Sequence, residues 1–162
     1  MDREILKGTA IGFIGAGNMA EAIARGLLKA GLMAPGQMLA ADPSEARRKV
    51  FQALGIRSAK ENAPVAKQAD ILILAVKPQV IDAVVKELSS QVRPETLVVS
   101  IAAGVSTARL EKLLPKGARV VRVMPNTPVL AGKGVSGLAR GSCATGKDVA
   151  LVRAIFQAGG IA

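Results

Sequence analysis

Short apolar runs alternate with helix-period patterns along almost the whole chain. Thr9-Ala10-Ile11-Gly12-Phe13-Ile14 is too short for a helix and is followed at once by glycines, so it predicts a buried strand. From Met19 the apolar and small residues fall at Met19, Ala22, Ile23, Gly26, Leu27 and Ala30. That spacing is one face of a helix, and Gly31 supplies its stop. Gln37 to Ala41 predicts a second strand, and Ser44 to about Leu54 a second helix with Gly55 as C-cap. Ile71-Leu72-Ile73-Leu74-Ala75-Val76 has the composition of a parallel strand buried on both faces. After Pro78, the residues Ile81, Val84, Val85 and Leu88 mark another amphipathic helix. Leu97 to Ser100 predicts a strand, Ser106 to Leu114 a helix, Arg119 to Met124 a strand and Gly134 to Leu138 an edge strand. Thr145 and Asp148 have capping-box spacing, ahead of a helix that buries Val149, Val152, Ile155 and Phe156.

Repeated strand-helix units of this kind imply an α/β, Rossmann-like, doubly wound and mostly parallel sheet with helices on both faces. No linker and no repeat is visible, so residues 1–162 read as a single domain. At the end, Gly159-Gly160-Ile161-Ala162 reads as a turn and the beginning of one more strand. The expectation is of a truncated chain.

Composition narrows the chemistry. The chain has no His, which removes imidazole bases, Ser-His-Asp systems and the usual zinc sites. A single Cys143 rules out an internal disulfide and a thiolate metal cage, so no metal site is expected. Reaction chemistry therefore falls to a cofactor. Lys and Arg outnumber Asp and Glu by 22 to 12, yet only Arg47-Arg48-Lys49 cluster, and with no Trp, no Tyr and three Phe there is no stacking platform. Nucleic acid is not expected as a partner. No run reaches the length of a membrane span, and Met1-Asp2-Arg3-Glu4 is not a signal-peptide start, so a cytoplasmic protein is expected.

The sharpest motif is Gly15-Ala16-Gly17-Asn18-Met19-Ala20 between a predicted strand and a predicted helix. Gly15 permits the tight turn, Gly17 lets a pyrophosphate touch the backbone, and Ala20 lets the helix lie close to the strand. Free N–H groups at the helix start would hold the phosphates. The second strand ends at Asp42, where a carboxylate would accept hydrogen bonds from a ribose and repel a 2′-phosphate, favouring NAD. Ser44 with Arg47 and Arg48 would instead suit a 2′-phosphate, favouring NADP. A third reading makes Asp42-Pro43-Ser44 a turn and N-cap with both arginines in solvent.

Ligands of open α/β sheets lie across the carboxyl ends of the strands. Three unusual segments are predicted there: Ala75-Val76-Lys77-Pro78-Gln79, Ser100-Ile101-Ala102-Ala103-Gly104 and Met124-Pro125-Asn126-Thr127-Pro128. Small residues in the second would admit a flat nicotinamide ring, and the two prolines of the third fix a loop whose polar groups suit a carboxamide or carboxylate.

These segments, taken in order with Gly12 to Met19, resemble the N-terminal domain of the pyrroline-5-carboxylate reductases over essentially all 162 residues. The resemblance implies reduction of 1-pyrroline-5-carboxylate, a small imino acid, to L-proline with NADP(H) or NAD(H). It places Asn18 and Met19 by the pyrophosphate, with Asn62, Asp42 and Ser44 near the adenosine ribose. It places Ala75, Val76, Lys77, Pro78, Ala102 and Ala103 on the path to the nicotinamide, and Asn126 beside the ring. The family's second, helical domain dimerises the protein and carries most of the imino-acid site. No catalytic residue is therefore expected within this chain. Asp42 departs from the neutral residue usual in NADP-preferring members. Two other readings stand beside this one: the cofactor domain of a 3-hydroxy acid type dehydrogenase, and a nucleotide-sensing module without chemistry.

Overall fold

The apolar runs become parallel strands because only the middle of a sheet covered on both faces can bury every residue of such a run. A computed structural model describes residues 3–125, 134–158 and 160–161. In it, β1 (Ile11–Ile14), β2 (Met38–Ala41), β4 (Ile71–Leu74) and β5 (Leu97–Ser100) are buried at all four positions each. They share a sheet with β3 (Arg57–Ala59), β6 (Arg119–Pro125), β7 (Gly134–Arg140) and β8 (Gly160–Ile161), in the order β3-β2-β1-β4-β5-β6-β7-β8. All pairings are parallel except that of β6 with β7. The order reverses between β1 and β4, the switch point at which such sheets leave a crevice.

Helices cover both faces. On one side α1 (Asn18–Lys29), α2 (Glu45–Ala53) and α6 (Gly146–Gln157) pack over Ile11, Phe13, Val99, Val121 and Val123. Here Phe13 and Phe51 meet edge to face, with ring centres 5.9 Å apart. On the other side α3 (Ala63–Gln68), α4 (Ile81–Leu88) and α5 (Thr107–Leu113) pack over Ile14, Leu72, Leu74, Val98 and Val120. Alternate residues of one strand thus feed two separate cores. Gly12 faces α3 with no space to spare: a Cβ there would stand 2.7 Å from Val65 Cγ1 and 2.9 Å from Ala69 Cβ.

Helix starts follow the sequence. Ser44 Oγ accepts from Arg47 N, and Thr145 and Asp148 form a reciprocal capping box. Gly31 and Gly55 take the left-handed conformation expected of C-terminal stops, at φ 67° and 81°.

The departures are local. Gln37 is not part of β2. It ends a 3₁₀ turn over Pro35–Gln37, where its side chain accepts from Ala34 N and donates to Thr9 O. The short β3 and α3 have no apolar run to announce them, and Pro64 sits inside the first turn of α3. Strand β7 runs on to Arg140 and is not the edge, because β8 pairs along its outer side. Gly160 and Ile161 do begin a strand.

The Gly12 contact has a measurable consequence. Gly12→Ala overpacks the seam between β1 and α3 and lowers the unfolding free energy by about 1–3 kcal/mol, read from urea denaturation. An unchanged midpoint would show that α3 moves aside freely.

Candidate functional site

At the carboxyl end of β1 the chain turns sharply into α1. Gly15 has φ 97°, a conformation reserved for glycine, and an added Cβ would stand 2.7 Å from the carbonyl oxygen of Ala75. Gly15 N donates to Ala41 O at 2.8 Å, and Ala75 N to Ile14 O at 2.8 Å, so the turn is wedged between the ends of β2 and β4. Gly17 is the N-cap of α1 and contributes no capping side chain. A Cβ on Gly17 would meet nothing within 4 Å. The N-terminus of a 12-residue helix is therefore presented to open space at the switch point of the sheet. Asn18 is exposed and Met19 half-buried against the α1-side core. An open groove of about 270 Å³ runs beside them, lined by Asn18, Glu21, Ala22 and Arg25.

The charged residues around the turn are more committed than the sequence implies. Asp42 accepts from Ala16 N through Oδ2 and from Ser44 N through Oδ1, both at 2.8 Å. Its two oxygens are thus tied to the glycine turn and to the start of α2 before any ribose arrives. Arg47 is folded back onto the turn. Its Nε donates to Ala16 O at 2.6 Å and its Nη2 to Glu21 Oε2 at 2.7 Å. Arg48 donates from Nη1 to the carbonyls of Asp42 and Pro43, both at 2.9 Å. The corner forms a turn with Ser44 as N-cap, and both arginines fold back onto backbone carbonyls instead of into water.

Glu21 and Arg25 are contributors that the motif reading passed over. Glu21 Oε1 accepts from Arg25 Nε at 2.8 Å, one helical turn on, while Oε2 takes Arg47. The i, i+4 spacing of the first pair was visible in the chain. Arg47 lies 26 residues from Glu21, and only the packing of α2 beside α1 joins them. The hydrogen bond from Arg47 outweighs the effect of burial and, with Arg25, holds the Glu21 carboxyl below the ordinary glutamate range.

The segments after β4 and β5 also lie at this edge, because those strands run parallel to β1. Ala75, Val76 and Pro78 are half-buried just past β4, and Lys77 is exposed. Past β5 the two alanines separate. Ala103 is exposed, whereas Ala102 is 2% exposed and packed in the core with α4 and α5. Asn62 is the N-cap of α3 just beyond β3, which pairs with β2, the strand that Asp42 follows. Asn126, with Thr127 and Pro128, lies outside the described residues. Two large apolar side chains stand exposed at the same edge, Val80 at 46% and Met124 at 45%. Among the described residues, no group of three or more His, Cys, Asp or Glu could hold a metal ion.

Residues 10–104 match the family described as NADP oxidoreductase coenzyme F420-dependent. The chain belongs to that family. Within it, the chain is 46% identical over 153 residues to the pyrroline-5-carboxylate reductase of Methanosarcina acetivorans, a match covering 94% of this chain and 57% of the relative. The structure of a pyrroline-5-carboxylate reductase from Coxiella burnetii superposes with a TM-score of 0.89 at 35% identity, over 94% of this chain and 57% of that one. The Plasmodium falciparum pyrroline carboxylate reductase with NADP bound superposes at 0.85 and 27% identity, over 96% and 56%. The chain spans about half the length of the curated relatives it matches.

The lowered Glu21 pKa gives the ion pairs a definite pH window. A carboxylate that ionises more readily folded than unfolded contributes stability above its unfolded pKa of about 4.3, and loses it as pH falls through the lower folded value. Glu21→Gln removes that contribution. The stability gap between parent and Glu21→Gln, measured by urea unfolding, is largest at neutral pH and closes progressively below pH of about 4.3. A gap that stays constant down to pH 2 would mean that Glu21 gains nothing from Arg47.

Proposed function

We infer that this chain is the cofactor-binding part of a pyrroline-5-carboxylate reductase, holding NADP(H) or NAD(H) for reduction of 1-pyrroline-5-carboxylate to L-proline. The observation that carries this reading is the open N-terminus of α1 behind Gly17, at the switch point of a parallel sheet. A dinucleotide pyrophosphate fits that donor set. The N–H of Ala16 is taken by Asp42, which leaves the backbone from Gly17 to Met19 to meet the phosphates. The similarity to reductases of this activity supports the substrate class.

Each residue then has a physical task. Gly15 keeps the turn tight against Ala75, and Gly17 keeps the anion site free of side-chain atoms. The adenosine end lies toward Asp42, Ser44 and Asn62, and the nicotinamide end toward Ala75 to Pro78 and Ala103. Exposed Val80 and Met124 offer apolar contact to flat rings at that end. The nicotinamide, when bound, supplies the hydride for the C=N carbon. The chain's contribution is to fix the cofactor's position and to keep water from one side of it.

Gly17→Val puts a branched side chain into the space the pyrophosphate must enter, and abolishes measurable NADPH and NADH binding in calorimetry. Unaltered affinity in that variant would refute the site. A second outcome concerns turnover. One wall of the substrate cavity is contributed here, and hydride transfer needs the reacting carbons held roughly 3–3.5 Å apart. In a steady-state assay at saturating NADPH, the 162-residue chain therefore binds cofactor but reduces little or no pyrroline-5-carboxylate. Turnover of about 1–10³ s⁻¹, ordinary for an enzyme, would instead place the machinery within these residues, with Lys77 and Asn126 the first to replace.

A further inference from the structure

Ala16, between the two glycines, is held at both of its polar groups by charged side chains from elsewhere in the chain. Its N–H is bound by the Asp42 carboxylate from the end of β2, and its carbonyl oxygen by the Arg47 guanidinium from α2. Arg47 is in turn fixed by Glu21 of α1, which also takes Arg25. The Arg47 side chain is 27% exposed and that of Glu21 21%, so neither is a freely moving surface group.

We propose that Arg47, fixed by Glu21, is a positioning residue for the pyrophosphate turn, required equally for NADH and NADPH, and not a ligand of the 2′-phosphate. The proposal rests on the reading that this turn binds a dinucleotide. Three facts support it. The guanidinium already donates through Nε and Nη2, at 2.6 and 2.7 Å, to partners on the turn and on α1. Hydrogen bonds with a charged donor are the strong ones, so these two hold the guanidinium against the turn and α1. The oxygen it binds also belongs to the residue next to Gly17. A peptide plane rotated there would swing a carbonyl dipole toward the anion and misdirect the following N–H groups. Asp42 holds the same residue from its other side, so a carboxylate and a guanidinium together fix the orientation of a loop whose glycines alone would leave it free.

The test is to titrate NADH and NADPH separately into the parent chain and into Arg47→Ala, Arg47→Lys and Glu21→Gln, at two salt concentrations, with folding checked by circular dichroism. Arg47→Ala weakens both cofactors by about tenfold, the size of one lost charge-assisted hydrogen bond, and the NADPH-to-NADH affinity ratio stays that of the parent. Arg47→Lys recovers part of the loss, because an ammonium reaches either Ala16 O or Glu21 but does not fork between them. Glu21→Gln shows a smaller loss, again shared by both cofactors. The salt dependence of binding is the same in parent and Arg47→Ala, since the guanidinium acts through the turn. Loss confined to NADPH would overturn the proposal by making Arg47 a 2′-phosphate ligand. A steeper salt dependence in the parent would make it a direct contact of the pyrophosphate, and unchanged affinity in a folded variant would reduce it to a surface ion pair. Should Arg47→Ala fail to fold, Arg47→Lys and Glu21→Gln carry the same comparison. A parent that binds neither cofactor refutes the dinucleotide reading itself, and is told apart because no variant is needed to see it.

Discussion

Everything at the functional edge depends on the parallel pairing of β1 with both β2 and β4. Parallel strands cannot be joined by tight hairpins, so each must be followed by a crossover, and every crossover begins at the same edge of the sheet. The pairing of Ile14 with Ala41 on one side and Leu74 on the other brings three strand ends into line. The glycine turn then has only the space those ends leave it. Gly15 donates to Ala41 O and stands against the Ala75 carbonyl, and any side chain at that position would have to displace backbone.

That constraint explains why the charged groups gather where they do. A helix N-terminus left open for an anion carries an uncompensated positive end, and the loop before it has few contacts of its own. The chain resolves this with charged side chains from neighbouring elements. Asp42 reaches in from β2, Arg47 from α2 and Glu21 from α1, each bonding to backbone or to one another. The strength of these bonds lies in their partial burial and in the charge on one partner, which sets them apart from the exposed pairs such as Glu45 with Lys49. With both oxygens already accepting, Asp42 fixes the shape of the turn.

The opposite edge shows the same economy used for structure. Asp70 accepts from Ala10 N and from Arg93, which also donates to Ala69 O, closing the start of β4 against β1. Arg119 joins the start of β6 to Asp148 of α6 and to Glu95 O. Several arginines are thus folded onto carbonyls and carboxylates at strand ends.

Much was legible in the chain alone, and for a physical reason. Apolar runs of four to six residues can be buried only as strands in a sheet covered on both faces, and a glycine turn between such a run and a helix-period pattern has few uses. The fold class, the strands β1, β2, β4, β5 and β6, the caps at Ser44 and Thr145, and the Gly15-to-Ala20 turn all follow from local pattern. What escaped was whatever depends on neighbours distant in sequence. The strand β3 is too short and polar to show itself, and pairs only because Leu39 to Ala41 offer it an edge. Ala102 and Ala103 are identical in sequence, and only the packing against α4 and α5 decides that one is core and the other surface. Arg47 belongs to a basic triplet that looks solvated until α2 lies beside α1 and brings it to Ala16 and Glu21. Periodicity reports which face of an element is buried, whereas the partner of a long polar side chain is set by the distance between elements, which only the tertiary structure decides.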